Sequence, residues 1–380
     1  MNKYLELTMT HRVDIHGKKM MGWLAPLMLA LTLMVSSCSP ATEGQEGNDA
    51  WVTLTISTGG GAADGGEGMA SRASGSAADK DWQVNDLTIY IFDQTGQVIG
   101  SSYASYSINS KQDITAKVKT RKAQNCTVIA LANAGTLSGT YATAQTTSPF
   151  AGVSTLSEFQ QKYITFKDMA SLESAPCLLM VGYLKGFDTT SSGSNISLQR
   201  LASRLDFTIT VMDDKDTGFP IVVDSYQLCH APLSAFYAPA DMSSTGITLP
   251  SGTSFVEYAA NSTAFNSWTS GSNSQSYTAY VYANPATTAT DATYLLIKAH
   301  SQVSPTDTRK IWQSDFKVYL NGITGLADYK LLPNYHYSVN ITVQGSSQAH
   351  HGVIANYKAY PYMAGGSIDS WTTENRPTDM

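Results

Sequence analysis

Charge is scarce in this chain of 380 residues: Asp, Glu, Lys and Arg make up 14% of it, against about a quarter in an average globular protein. The net charge is -6, and no long basic run lies beyond the first 38 residues. That balance argues against nucleic-acid binding. Cysteine is sparse as well, at positions 38, 126, 177 and 229 only. With Cys38 set aside for the reason given below, Cys126, Cys177 and Cys229 allow at most one disulfide and one free thiol. Cys126 and Cys177 sit inside apolar, strand-like runs, which reads as buried, inert thiols. Catalytic signatures are missing too: no HExxH, no Gly-x-Ser-x-Gly, no Walker loop and no dinucleotide fingerprint. His230, His300 and His336 are isolated, and Asp206 and Glu257 are scattered carboxylates. The pair His350-His351 is a poor chelate, because neighbours on a strand point to opposite faces. These absences argue that the chain is not an enzyme and carries neither metal nor dissociable cofactor.

What is present begins at the N-terminus. Residues 21–35 form an apolar run broken only by Gly22, Pro26 and Thr32, preceded by Lys18 and Lys19. That is the layout of a secretory signal, and the run is shorter than the ~20 residues a membrane span needs. It ends in Val35-Ser36-Ser37-Cys38, which resembles a bacterial lipobox. The resemblance implies that Cys38 is acylated and becomes the first residue of the mature chain. Residues 39–50, polar and acidic, read as a tether between lipid and fold.

From Trp51 the pattern is that of strands. Val52, Leu54 and Ile56 alternate with polar residues, giving a half-buried strand. Residues 59–81 are rich in Gly, Ala, Ser and Asp and carry Arg72. So long a structureless stretch inside a compact domain is uncommon, and small-residue loops are where proteases cut. Strands are expected at 87–92, 98–99, 114–118, 127–132, 178–183 and 198–212. Between them one helix is expected, where Thr155 and Glu158 make a capping box and Leu156, Phe159 and Tyr163 share a face. Asp213-Asp214-Lys215-Asp216 breaks the pattern, so a first domain is expected over 51–213 and a second over 214–380. The second repeats the style with strands at 221–226, 278–282, 294–299, 317–320 and 337–343. A tail follows, with Val353, Ala355, Tyr357 and Ala359 on one face, and a last strand at 367–372. Many short strands with frequent turns imply an all-β fold of two β-sandwiches with one short helix.

Several segments, in order, resemble the fimbrillin family, the FimA/Mfa-type pilus subunits of Bacteroidia. They are the lipobox Cys38, the strand at 52–56, Arg72, and Val84-Asn85-Asp86-Leu87-Thr88-Ile89-Tyr90-Ile91-Phe92-Asp93. Further on come Ala132-Asn133-Ala134-Gly135, Leu198-Gln199-Arg200-Leu201-Ala202-Ser203-Arg204-Leu205, and Pro333-Asn334-Tyr335-His336-Tyr337-Ser338-Val339. The Arg-x-x-x-Arg-Leu run is the most distinctive member of the set. The resemblance implies two tandem transthyretin-like sandwiches and a pilus subunit assembled by strand exchange. A lipidated precursor at the outer membrane is cut by a trypsin-like protease, with Arg72 as the expected site and Lys80 second. The strand of Val52, Leu54 and Ile56 leaves, and the tail of another copy, through Val353, Ala355, Tyr357 and Ala359, takes its place. The partners implied are other pilus subunits in a homopolymer on the cell surface. One alternative is a pilus anchor or accessory subunit that keeps its first strand. The other is a surface glycan-binding lipoprotein, for which Trp268 and the pair Tyr280/Tyr282 are the candidate aromatic platform.

Overall fold

The computed structural model describes residues 49–58, 80–110, 112–191, 193–243, 245–320, 329–348, 352–361 and 375–377. The first strand set opens with β1 (Asp49–Ser57), β2 (Val84–Phe92), β3 (Val98–Ile108), β4 (Asp113–Arg121) and β5 (Cys126–Ala132). Helices α1 (Ala134–Thr140) and α2 (Leu156–Gln160), strand β6 (Tyr163–Thr165) and helix α3 (Met169–Ser174) follow. The set closes with β7 (Met180–Phe187), β8 (Ser194–Ser197) and β9 (Gln199–Arg200). These form two facing sheets, β4-β1-β8 and β3-β2-β5-β7-β9. Alternation decides which residues meet between them: along β4, Ile114, Ala116 and Val118 are buried while Asp113, Thr115, Lys117 and Lys119 face water. They pack with Val52, Leu54, Ile56, Ile89, Ile91 and Val128 in one core.

The second set contains β10 (Ala202–Val211), β11 (Ile221–Cys229), β12 (Ala231–Pro232), β13 (Ser234–Phe236), β14 (Phe255–Val256) and β15 (Phe265–Asn266). Then come β16 (Ser274–Tyr282), β17 (Tyr294–Gln302), β18 (Lys310–Tyr319), β19 (Tyr335–Val343), β20 (Val353–Pro361) and β21 (Asn375–Pro377). Its sheets are β16-β10-β19-β20-β21 and β15-β11-β17-β18, with β12-β14 as a short pair. A second small pair, β13-β6, links the two sets. A larger core runs on from Phe92, Phe159 and Phe166 to Tyr237 and Tyr282, so the described residues from 49 onward belong to one compact unit.

The fold is all-β, as the alternation predicts, with three departures in detail. Strand β10 lies before the expected boundary at 213, yet it pairs with β16 and, in parallel, with β19. The change of sheet therefore falls at Leu201, since a strand's partners and not a local charge run decide its sheet. The capping box is present, with Glu158 N donating to Thr155 Oγ1 at 3.2 Å and Thr155 N to Glu158 Oε2 at 3.1 Å. Helix α2 nevertheless stops at Gln160, and Tyr163 stands in β6 and is exposed. Instead of one helix, the described residues hold α1, α2, α3 and a 3-10 turn at Ala289–Asp291. The expected strand at 367–372 lies outside the described residues.

Candidate functional site

Strand β1 is a central strand. It runs antiparallel to β4 over nine paired positions, from Asp49 opposite Arg121 to Ser57 opposite Asp113. On its other side Leu54 to Ser57 pair in parallel with Ser194 to Ser197 of β8. Val52, Leu54 and Ile56 are at most 1% exposed, each worth ~1.5–3 kcal/mol of burial. At the solvent end Trp51 is 65% exposed, and Asp49 pairs with Lys119 at 2.8 Å. At the far end Thr58 Oγ1 donates to Gln112 O at 3.0 Å and accepts from Gln112 N at 3.1 Å. The wall strand β8 is seated on the opposite sheet at Gly182, where a Cβ would lie 2.5 Å from Ile196 Cγ2 and 2.6 Å from Ser197 O. Were β1 withdrawn, a slot walled on both sides would remain, floored by the core.

Arg72 and Cys38 lie outside the described residues, and the description resumes at Lys80. Lys80 Nζ donates to Glu173 O at 2.7 Å and lies 5.7 Å from the centre of the Tyr280 ring. Burial pushes its ammonium pKa down. A side chain so engaged is a poor fit for a protease pocket.

Beyond Lys80 the chain is clamped. Arg200 is 1% exposed; its Nε donates to Asp81 O at 2.8 Å and its guanidinium lies 4.5 Å over the Trp82 ring. Arg200 N donates to Asn334 Oδ1 at 3.0 Å. Arg204 pairs with Asp81 and with Asp206, each at 3.1 Å. Asp206 also accepts from Thr278 at 2.7 Å and meets His336 at 2.6 Å. Burial alone would raise the Asp206 carboxyl; the His336 and Thr278 hydrogen bonds and the Arg204 charge outweigh it and hold it at about 2. Next along β2, Asn133, in the left-handed region at φ 70°, donates to Gln83 O and Leu178 O and accepts from Asn85 N. Asp86 accepts from Gly135 N and Thr136 N. Four of the segments singled out in the sequence thus converge on one place, the start of β2. Their spacing gave no hint of this, because the partners are up to 134 residues apart.

The tail is paired within its own chain. Strand β20 runs antiparallel to β19, with Val353 opposite Val343, Ala355 opposite Ile341, Tyr357 opposite Val339 and Ala359 opposite Tyr337. Val353 and Ala355 are buried, and β21 covers Ile354 to Asn356 on the outer edge.

The remaining candidates read as structural. Cys126, Cys177 and Cys229 are buried free thiols, and burial, with the Asp86 charge, pushes Cys177 up to about 12. His300 is bonded to Asp224, and His230 stacks on Phe255. Glu257 accepts from Gln227, while His350-His351 lies outside the described residues. Trp268 is 36% exposed in its loop, but Tyr282 is buried against Phe166. The Tyr280/Tyr282 pair therefore offers no exposed platform for a sugar.

Residues 51–197 match the family model of the major fimbrial subunit protein (FimA). Over these residues the chain resembles a FimA-type fimbrillin. The matched span runs from Trp51 in β1 to the end of β8, so it takes in most of the slot and its floor. No curated protein sequence matches the chain. Among solved structures, a candidate cell adhesion protein from Parabacteroides distasonis aligns at TM-score 0.60 and 17% identity, over 84% of this chain and 99% of its own. Another from Bacteroides eggerthii aligns at 0.51 and 18%, over 84% and 98%. Both share the fold of this fimbrillin-like chain along nearly their entire length. A fimbrilin from Porphyromonas gingivalis aligns at 0.49 and 12%, over 83% and 99%.

Proposed function

We propose that this chain is a structural subunit of a cell-surface pilus, assembled by exchange of its first strand. The carrying observation is the slot: β1 is gripped by strands on both sides, within the segment that matches the fimbrial family. One cut in residues 59–79 would sever it from everything that walls the slot. Arg72 is the residue cut, by a trypsin-like protease, after Cys38 has carried the lipidated precursor to the outer membrane. The strand that replaces β1 is β20 of another copy, so head-to-tail repetition builds an open homopolymer. An empty slot would expose apolar side chains and unpaired backbone, which favours exchange over simple loss.

The test is limited trypsin digestion of the chain lacking residues 1–38, read by N-terminal sequencing and size-exclusion chromatography. A cut after Arg72, followed by high-molecular-weight ladders that need residues 353–360, is expected. The pairing of β20 with β19 also fits a subunit that keeps its tail. A stable monomer after cutting, or no cut, would therefore make the chain an anchor or accessory subunit.

A further inference from the structure

If β20 of a second copy enters the slot, its register remains to be fixed, and the outward face of β4 bears on it. The outward residues of β4 are Asp113, Thr115, Lys117, Lys119 and Arg121, all exposed, so one end is acidic and the rest neutral to strongly basic. The tail carries one charge, Lys358. In its own chain that residue stands opposite Ser338.

We infer that the incoming strand takes a single register, with Lys358 of the second copy opposite Asp113; this rests on the strand-exchange reading above. Direction comes first. β4 offers nine paired positions and β8 four, and antiparallel pairing is slightly the stronger kind. The incoming strand therefore runs as β1 does. Shifts by one residue are excluded, because they turn the apolar face outward. Shifts by two keep the faces, and among these charge decides. In the register proposed, Val353 takes the place of Val52 opposite Val118, Ala355 that of Leu54, and Tyr357 that of Ile56 opposite Ile114. Lys358 then takes the place of Ser57, which is 8% exposed, and the long lysine stem carries the ammonium out to Asp113, the exposed partner across the ladder. Asn356 replaces Thr55, beside Asn195 of β8. Moving the tail two residues one way leaves Lys358 opposite Thr115. Further steps set it against Lys117, Lys119 or Arg121, where like charges repel. Moving it the other way carries Lys358 past the end of β4. Opposite charges and a valine in a valine's place favour the same alignment.

Disulfide trapping reads the register directly. Thr115→Cys is combined in turn with Ile354→Cys, Asn356→Cys and Lys358→Cys in the full chain, which is cut with trypsin and mildly oxidised. Directly opposed residues lie within disulfide reach, whereas a two-residue offset exceeds it. The Asn356 pair is expected to give crosslinked multimers, and the chain with native cysteines none. Crosslinking through Ile354 or Lys358 instead would overturn the register while leaving strand exchange standing. Multimers with no crosslink in any pair would overturn the register as well, whether through a larger shift or the opposite direction. No multimers at all, wild type included, would remove strand exchange and the register with it. As a second measurement, Lys358→Glu should weaken assembly up to about fivefold, and adding Asp113→Lys should restore it; absence of rescue would count against the pair.

Discussion

At the scale of single residues, the Arg-x-x-x-Arg-Leu run has a physical reading. Arg200 and Arg204 reach back to Asp81 and anchor the chain just after residues 59–79. A buried guanidinium needs several acceptors in a fixed fork, which lysine cannot supply. Asp206 serves the same clamp, and its depressed carboxyl makes a signed prediction. Its folded pKa, about 2, lies below the ordinary ~3.9. The stabilisation it gives is therefore present above about pH 4 and lost as pH falls towards 2, and, reduced by solvent screening at this half-buried site, amounts to about 1 kcal/mol. Urea unfolding from pH 7 to 2 should show Asp206→Asn less stable than wild type at neutral pH, with the two converging below about pH 3. Parallel curves would mean that the carboxylate contributes nothing through its charge.

At the scale of elements, the slot depends on β8 staying in place, and β8 is a strand of four residues. Four backbone pairs with β1 would not hold it once β1 leaves. Its close seat over Gly182 does not depend on β1. Gly182→Ala forces a methyl into the backbone of Ser197 and should lower unfolding free energy by about 1–3 kcal/mol, measured by denaturant titration. Unchanged stability would show that β8 shifts freely. Helix α1 teaches a related lesson. Its sequence, AGTLSGT, has two glycines and no strong periodic face, and its first turn is held by Asp86 from β2. Local propensity did not ask for this helix; a distant carboxylate supplied its N-terminal partner.

At the scale of the whole molecule, the proposed assembly makes cleavage and exchange separate events. After a cut in residues 59–79, β1 would still hold nine paired positions with β4, four with β8, and three buried side chains. Nicked protein should therefore keep its N-terminal peptide on size exclusion at first, with polymer ladders growing only later. Immediate loss of the peptide would mean that the slot holds β1 weakly. The tail is likewise engaged, in the β19–β20 ladder, so assembly must open one intramolecular pairing for each intermolecular one. The two nearly balance in backbone hydrogen bonds. What favours the filament is the relief of an otherwise empty slot.

The sequence by itself determined the all-β class and nearly every long strand, because period-two alternation is written along each of them and one face must be buried. It determined the capping box at Thr155 and Glu158, a contact three residues long. It marked β1 and β20 as the two apolar strands outside the regular series. Tertiary structure alone decided that β1 is central and not an edge, that β10 belongs with β16 and β19, and that Tyr282 is buried. It also gathered Asp81, Arg200, Arg204, Asp206 and His336 into one clamp. Those outcomes depend on which distant segments meet across a sheet, and local periodicity carries no record of a partner more than a hundred residues away.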